Sequence, residues 1–245
     1  MAYADWLGVH YSSPGAFQGG LDGQQVVNST LSGPLTLSGA DCRKFHNDSA
    51  QAAYSFFKLD PTAHPTLTAI PDTKAISLRA WVRWDGTTAC LYAENQICLR
   101  AKLGLSTNTS QGERHGYSFG INGGCGLNPA PFYWQGGNKT GANAIVNTGS
   151  TLAFGTWAQI RMDVIPTSPS VSDTIRCYIN TGTEASPVWT LEYERIQLAS
   201  ETNVWIPWGD ADYGNVGFGV RCYNGPVGQN ALVHIDSFDA RLKDV

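Results

Sequence analysis

Charge is scarce in this chain of 245 residues: Asp, Glu, Lys and Arg supply 15% of it, where about a quarter is usual in globular proteins. Sixteen basic and 20 acidic residues leave a formal net charge of -4, and no block of like charge runs beyond three residues. Capture of nucleic acid by bulk positive charge is therefore excluded. Long apolar runs are missing too; none approaches the roughly 18 residues that a membrane span needs. The start, Met1-Ala2-Tyr3-Ala4-Asp5-Trp6, has neither the basic opening nor the apolar stretch of a secretory signal, so a soluble, unexported chain is expected. Cysteine is sparse: six residues, Cys42, Cys90, Cys98, Cys125, Cys177 and Cys222, are too few for a disulfide scaffold, and none has the C-x-x-C spacing of a zinc site. The N-x-[ST] matches at Asn28, Asn47, Asn108 and Asn138 reflect abundant Ser and Thr in the absence of an export signal.

What the chain does have is punctuation and alternation. Twenty-seven Gly and 12 Pro separate short runs in which apolar and polar residues alternate, the mark of half-buried strands. From Ala75 to Trp84, Ile76, Leu78, Ala80 and Val82 share one face while Ser77, Arg79 and Arg83 take the other. Trp157 to Ile165 repeats the pattern, and Pro166, which lacks a donor, ends it. Asp173 to Asn180 sets Ile175, Cys177 and Ile179 inward and is followed by the turn Asn180-Thr181-Gly182; with Trp157 to Ile165 it reads as a hairpin with a long loop, Pro166 to Ser172. His115–Ile121, Val188–Arg195, Asn215–Tyr223 and Ala231–Leu242 continue the series. Cys90–Ala93 and Gln96–Leu103 read as two strands about a turn at Ala93-Glu94-Asn95, which would place Cys90 opposite Cys98, reduced or bridged. Cys177 and Cys222 read as small buried hydrophobes. A dozen or more short strands mean an all-β, antiparallel sandwich.

The first 70 residues differ in texture. Tyr11–Gly23 is rich in Gly, Ser and Pro, Gln24–Leu37 has room for one or two strands, and Ala50–Phe57 suits a strand or a helical turn. Residues 1–23 are expected to form an N-terminal arm and 24–245 one sandwich domain. Tyr3, Trp6, Leu7, Val9, His10 and Tyr11 make the arm apolar and aromatic. It either lies on a partner subunit or packs into its own sandwich.

Phe154 to Ile165, a loop, and Asp173 to Gly182 together resemble the "W-x-x-I/V-R…D-x-I-x-x-Y-x-N/D" hairpin of concanavalin A-like (LamG-like) jelly rolls. Val233 to Leu242 resembles their closing strand and Ile76 to Trp84 an early one. The stretch Asp163-Val164-Ile165-Pro166 with Asp173-Thr174-Ile175 is similar to that of virion structural proteins of tailed bacteriophages. The resemblance implies a jelly roll and, among the roles that this family fills, a virion component made in the host cytoplasm.

Three function classes compete. A glycosidase needs two carboxyl groups about 5–9 Å apart, and the E-x-D-x-x-E strand of β-glucanases is absent. Glu192-Tyr193-Glu194 is the nearest substitute, among six Glu in all, and reads as a solvent-facing pair. The five His lack a nucleophile context such as G-x-S-x-G, and no enzyme is expected. A glycan-binding module would use Trp205, Trp208, Asp210, Asp212, Tyr213 and Asn215, with Trp134 as a second aromatic candidate, because rings stack on sugar faces while carboxylates and amides fix hydroxyls; the alternative is that these aromatics cap the open end of the core. Asp210 and Asp212 also match the start of a calcium loop, but Gly214 follows where a ligand belongs and no bidentate Glu closes it; no cofactor is expected beyond this candidate Ca2+. An assembly protein needs only a stable sandwich and apolar surface matched to a neighbour. The reading is a non-enzymatic virion protein, a capsid decoration or tail appendage, which contacts other virion proteins and itself as a homo-oligomer, without nucleic acid or membrane. A lectin-like module for a host surface polysaccharide is the alternative.

Overall fold

The computed structural model describes the backbone of residues 7–11, 17–21, 25–29, 42–47, 52–59, 65–67, 69–84, 92–103, 114–123, 130–136, 144–147, 150–153, 155–167, 171–183, 185–201, 206, 208–209, 215–223 and 231–245. Side chains are described for a subset centred on the paired strands. Among these residues the strands are β1 (Leu7–Tyr11), β2 (Phe17–Leu21), β3 (Gln25–Ser29), β4 (Cys42–Asn47), β5 (Ala52–Leu59), β6 (Lys74–Trp84), β7 (Tyr92–Leu103) and β8 (Arg114–Gly123). They continue with β9 (Ala130–Gly136), β10 (Ala144–Asn147), β11 (Trp157–Pro166), β12 (Ser172–Asn180), β13 (Trp189–Leu198), β14 (Asn215–Tyr223) and β15 (Ala231–Asp244). A single 3-10 turn, Pro65–Leu67, is the one helical element among the described residues. No described helix is long and apolar enough to cross a membrane.

The strands pair antiparallel into two sheets. The first has the order β13-β12-β11-β6-β15-β4-β3 with β1 also on β15; the second has the order β10-β9-β8-β7-β14-β5-β2. Alternation built this arrangement: Ile76, Leu78 and Val82 of β6, Ile160, Met162 and Val164 of β11, and Ile175 and Cys177 of β12 are completely buried. They face Ile97 and Leu99 of β7, Tyr117 and Phe119 of β8 and Tyr133 of β9 in one core. Each large side chain so removed from water contributes roughly 1.5–3 kcal/mol. Cys177 is a buried free thiol, in the role that its alternation indicated.

The expected hairpin of β11 and β12 is present, in register from Gln159↔Asn180 to Pro166↔Asp173. The turn that leaves β12 toward β13 is held by Asn180, whose carboxamide oxygen accepts from the backbone N–H of Gly182 at 2.9 Å and of Val188 at 3.0 Å. A Cβ at Gly182 would strike the backbone of Ser186 and Val188, so the close turn requires glycine.

Three readings change. The turn expected at Ala93-Glu94-Asn95 is the interior of a continuous strand, paired with Val220–Cys222 on one side and Ile121–Gly123 on the other. Two flanking ladders outweigh the local turn preference of Glu-Asn. Cys98 therefore pairs with Ser118 and Gly217 in register, and the Cys90 of the expected pair lies outside the described residues. Of Ala50–Phe57, left open between strand and helix, residues 52–57 belong to the strand β5, and 50–51 lie outside the described residues. Finally, β6 and β11 are buried on both faces: Ser77, Gln159 and Asp163 are no more than 2% exposed.

Of the residues expected in the arm, Tyr3 and Trp6 lie outside the described residues. Leu7, Val9 and Tyr11 are backbone members of β1, which pairs with Leu242, Ala240 and Phe238 of β15. Phe17–Leu21 pairs with β5 in the other sheet.

Candidate functional site

The face of the first sheet that turns away from the core is a polar layer with aromatic borders. Register places its residues in rows across β6, β11, β12 and β13. One row runs Trp81, Gln159, Asn180, Trp189; the next runs Arg79, Arg161, Tyr178, Leu191; a third runs Ser77, Asp163, Arg176, Glu194. The amide row carries a hydrogen bond from Asn180 Nδ2 to Gln159 Oε1 at 2.9 Å. Trp81 is 7% exposed, and its indole N–H has no hydrogen-bond partner among the described residues.

The charged rows are closed on themselves. Arg161 donates to both oxygens of Asp163, two residues along the same strand, at 2.8 and 2.5 Å. Ser77 adds its hydroxyl to Asp163 Oδ1 at 2.5 Å. Tyr178 and Trp189 lie 5.1 and 5.6 Å from the Arg161 guanidinium, a cation–π cover on the side toward β13. Asp239 of β15 receives Arg79 Nε at 2.8 Å and Arg241 Nε at 3.0 Å. Glu194, one of the two carboxylates of the weak glycosidase candidate, accepts from Arg176 at 2.5 Å. Glu192, the other, falls at a bulge, where Cys177 pairs with Tyr193 and Tyr178 with Leu191.

A second cluster joins the core to the segment after β13. Ile97 and Leu99 point into the core, so Arg100 would point outward in a regular strand. Instead β7 has one residue more than β8 between Leu99 and Lys102, Arg100 takes φ 46°, and its guanidinium is turned inward, 2% exposed. Re-aiming a side chain is a known use of a bulge. Inside, Arg100 donates to Asp173 at 2.7 Å and to the carbonyl of Ile206. Tyr117 donates its hydroxyl to the same carboxylate at 2.9 Å, and Trp208 donates its indole N–H to the other oxygen at 2.8 Å. The guanidinium also lies 3.6 Å above the Trp208 ring.

Burial is the largest influence here. It raises the Asp173 carboxyl above its ordinary value, against the opposing pull of Arg100 and the hydrogen bonds of Trp208, Tyr117 and Arg100. It also lowers Arg100 and pushes the Tyr117 phenol well up. The described buried carboxylates, Asp163, Asp173 and Asp239, are each held by a guanidinium, an arrangement suited to fixing strands in place.

Of the residues proposed for glycan contact, Trp208 is thus anchored at the core margin with one ring face and its N–H engaged, while part of it is exposed. Gly209 follows it, its N–H donating to Ile70 O at 3.0 Å. Asn215 and Trp134 are backbone members of β14 and β9. The remaining Trp205, Asp210, Asp212 and Tyr213 lie outside the described residues, as does the calcium candidate built on Asp210 and Asp212. Among the described residues no group of three His, Cys, Asp or Glu side chains could hold a metal ion. Sequence reading missed the Arg100–Asp173 pair and the Trp81–Trp189 row, since both depend on pairings between distant strands.

No protein-family model and no curated protein sequence matches the chain. Among solved structures, the Lotus tetragonolobus seed lectin matches with a TM-score of 0.50 and 9% identity, over 98% of this chain and 99% of that one. The fold is a concanavalin A-like sandwich. A legume lectin-like domain from Entamoeba histolytica gives a TM-score of 0.47 and 10% identity, covering 91% of this chain and 90% of its own. A carbohydrate esterase from the Shiga toxin-encoding bacteriophage phi24B gives 0.47 and 13%, covering 94% and 91%. A fold of this kind fixes no activity by itself.

Proposed function

We propose that the chain is a non-enzymatic structural component of a bacteriophage virion, a capsid decoration or tail appendage that works through contacts between subunits. The supporting observation is the exposed apolar margin of the first sheet. Leu191, Ile196 and Leu198 of β13 are 47–61% exposed, and Val171 and Val188 beside them are 56% and 58% exposed. Apolar side chains concentrated at one sheet edge suit a protein neighbour better than water. The sequence resemblance to tailed-phage virion proteins supplies the kind of assembly, and the guanidinium-bound carboxylates favour scaffolding over acid–base chemistry. The test is a binding titration: purified chain is added to virions that lack it, and co-sedimentation and sugar release are followed together. Saturation at a fixed number of copies per particle, with no reducing sugar released from host polysaccharide, supports the proposal; turnover that disappears in Glu192→Gln overturns it.

A second reading is a lectin-like module for a host surface polysaccharide. The row Trp81, Gln159, Asn180, Trp189 favours it, because two amides between two indoles match the alternating polar and apolar character of a sugar. Trp189 and Asn180 are the partly exposed end of that row.

A further inference from the structure

Among the described residues, three hydrogen bonds tie Ile206, Trp208 and Gly209 to the sandwich, and two of them depend on Asp173. Gly209 donates to Ile70 O, and Trp208 donates to Asp173 Oδ1. The Ile206 carbonyl accepts from Arg100, whose guanidinium Asp173 holds in place. The two oxygens of this carboxylate carry unequal loads. Oδ2 accepts from both Arg100 Nη1 and Tyr117 Oη, whereas Oδ1 accepts from Trp208 alone among the described residues. A proton arriving on the carboxylate therefore goes to Oδ1, because on Oδ2 it would meet a guanidinium and a phenol that both point donors at it. On Oδ1 it makes a hydroxyl that faces the Trp208 N–H, donor against donor. The bond to Trp208 is the one lost.

Arg100 has a second arrangement ready. It is the one non-glycine residue with positive φ among the described residues, a strained backbone that persists only while its surroundings hold it. Once Asp173 is neutral, the guanidinium is a buried charge with no counter-charge, and the outward direction that alternation gives this position returns it to water. Turning outward, it takes away its bond to Ile206 O and its stack on Trp208.

One group of the cluster titrates in acid. Arg100 of β7 and Tyr117 of β8 ordinarily titrate far above neutrality, and Trp208 is a neutral donor. The register partners of Asp173 are Pro166 on β11 and Gln197 on β13; Gln197 is itself bound to Arg195 and Glu201, and Arg195 acts on Tyr117. Burial raises the Asp173 carboxyl above its ordinary 3.8. The folded chain thus takes up this proton at a higher pH than the unfolded chain does, and the uptake favours the folded state as pH falls. The change belongs to the folded protein and is separate from acid unfolding.

We propose that Asp173 is an acid-operated latch: a proton on its Oδ1 releases Trp208 and lets Arg100 turn outward, freeing Ile206 and Trp208 from the core while the two sheets stay folded. The latch is independent of the assembly reading.

Heteronuclear NMR of the indole N–H groups in the isotope-labelled full chain, from neutral pH down to the onset of acid unfolding, tests it. The Trp208 signal is the one missing from Trp208→Phe. It is expected to shift along a single titration curve with its midpoint above 3.8, while circular dichroism keeps its strand signature. In Asp173→Asn, neutral at every pH, the signal should stand at the acid position throughout. Tyr117→Phe strips one donor from the charged carboxylate and should move the midpoint to higher pH, a displacement that a merely structural Asp173 does not produce. If Asp173→Asn does not fold, the midpoint in Tyr117→Phe decides. A Trp208 signal that stays in place until the chain unfolds, or a midpoint that Tyr117→Phe leaves unmoved, overturns the latch.

Discussion

Trp208 donates its indole N–H to the buried carboxylate of Asp173 at 2.8 Å, joining the segment after β13 to the start of β12. The same carboxylate receives Arg100 and Tyr117, so three elements distant in sequence converge on one buried charge.

Removing either member of the ion pair strands the other charge away from water. Arg100→Leu and Asp173→Leu are each expected to cost about 3–5 kcal/mol in denaturant unfolding. The double variant should cost clearly less than the sum, because it leaves no charge uncompensated. Additive losses would show that the pair is not coupled.

Alkaline pH should destabilise the fold through its core. Burial raises the phenols of Tyr117 and Tyr133 well above their ordinary 10.0 and the Cys177 thiol well above 9.0. Groups raised in this way contribute stability that is fully present below their unfolded values and lost as pH climbs through the folded ones. The melting temperature is therefore expected to hold to about pH 9 and to fall above it. Below denaturing pH, Cys177 should resist thiol reagents. A melting temperature independent of pH between 8.5 and about 11 would contradict this.

Much of the architecture was legible in the sequence, for a local reason: alternation at Ile76–Val82, Ala158–Val164 and Ile175–Ile179 reports directly which side chains face the core. The hairpin of β11 and β12 was equally visible as two alternating runs on either side of the loop Pro166 to Ser172, and the turn after β12 because Asn180-Thr181-Gly182 carries its own turn chemistry. Ala93-Glu94-Asn95 misled because pairing on both sides of β7 overrides local preference. Arg100 was invisible as a core residue. Its inward direction comes from one extra residue in β7, and its partner Asp173 is 73 positions away. The rows on the outer face are likewise a matter of register across four strands, which no single strand records.

If the alternative lectin role holds, its ligand should distinguish two places. On a glycan array, Trp189→Ala would abolish a positive signal if the row beginning at Trp81 is the platform, while Trp205→Ala would abolish it if the segment around Trp205 is. Trp208→Ala is a weaker probe, since losing its bond to Asp173 should also lower the melting temperature. Signals unchanged in both Trp189→Ala and Trp205→Ala would dismiss both places.

Calcium offers a simple check on Asp210 and Asp212. A resident ion would raise the melting temperature by several degrees and the increase would vanish in Asp212→Ala, since ligand binding stabilises by mass action. The same melting temperature with calcium and with chelator would remove the site from consideration.

The central claim is that this sandwich acts by touching protein neighbours in a virion. Electron microscopy of the native particle tests it most directly. The account predicts density for the sandwich in symmetric copies on the outside of the capsid or along the tail. Intact particles without that density, with the chain recovered only in the unassembled fraction, would contradict it.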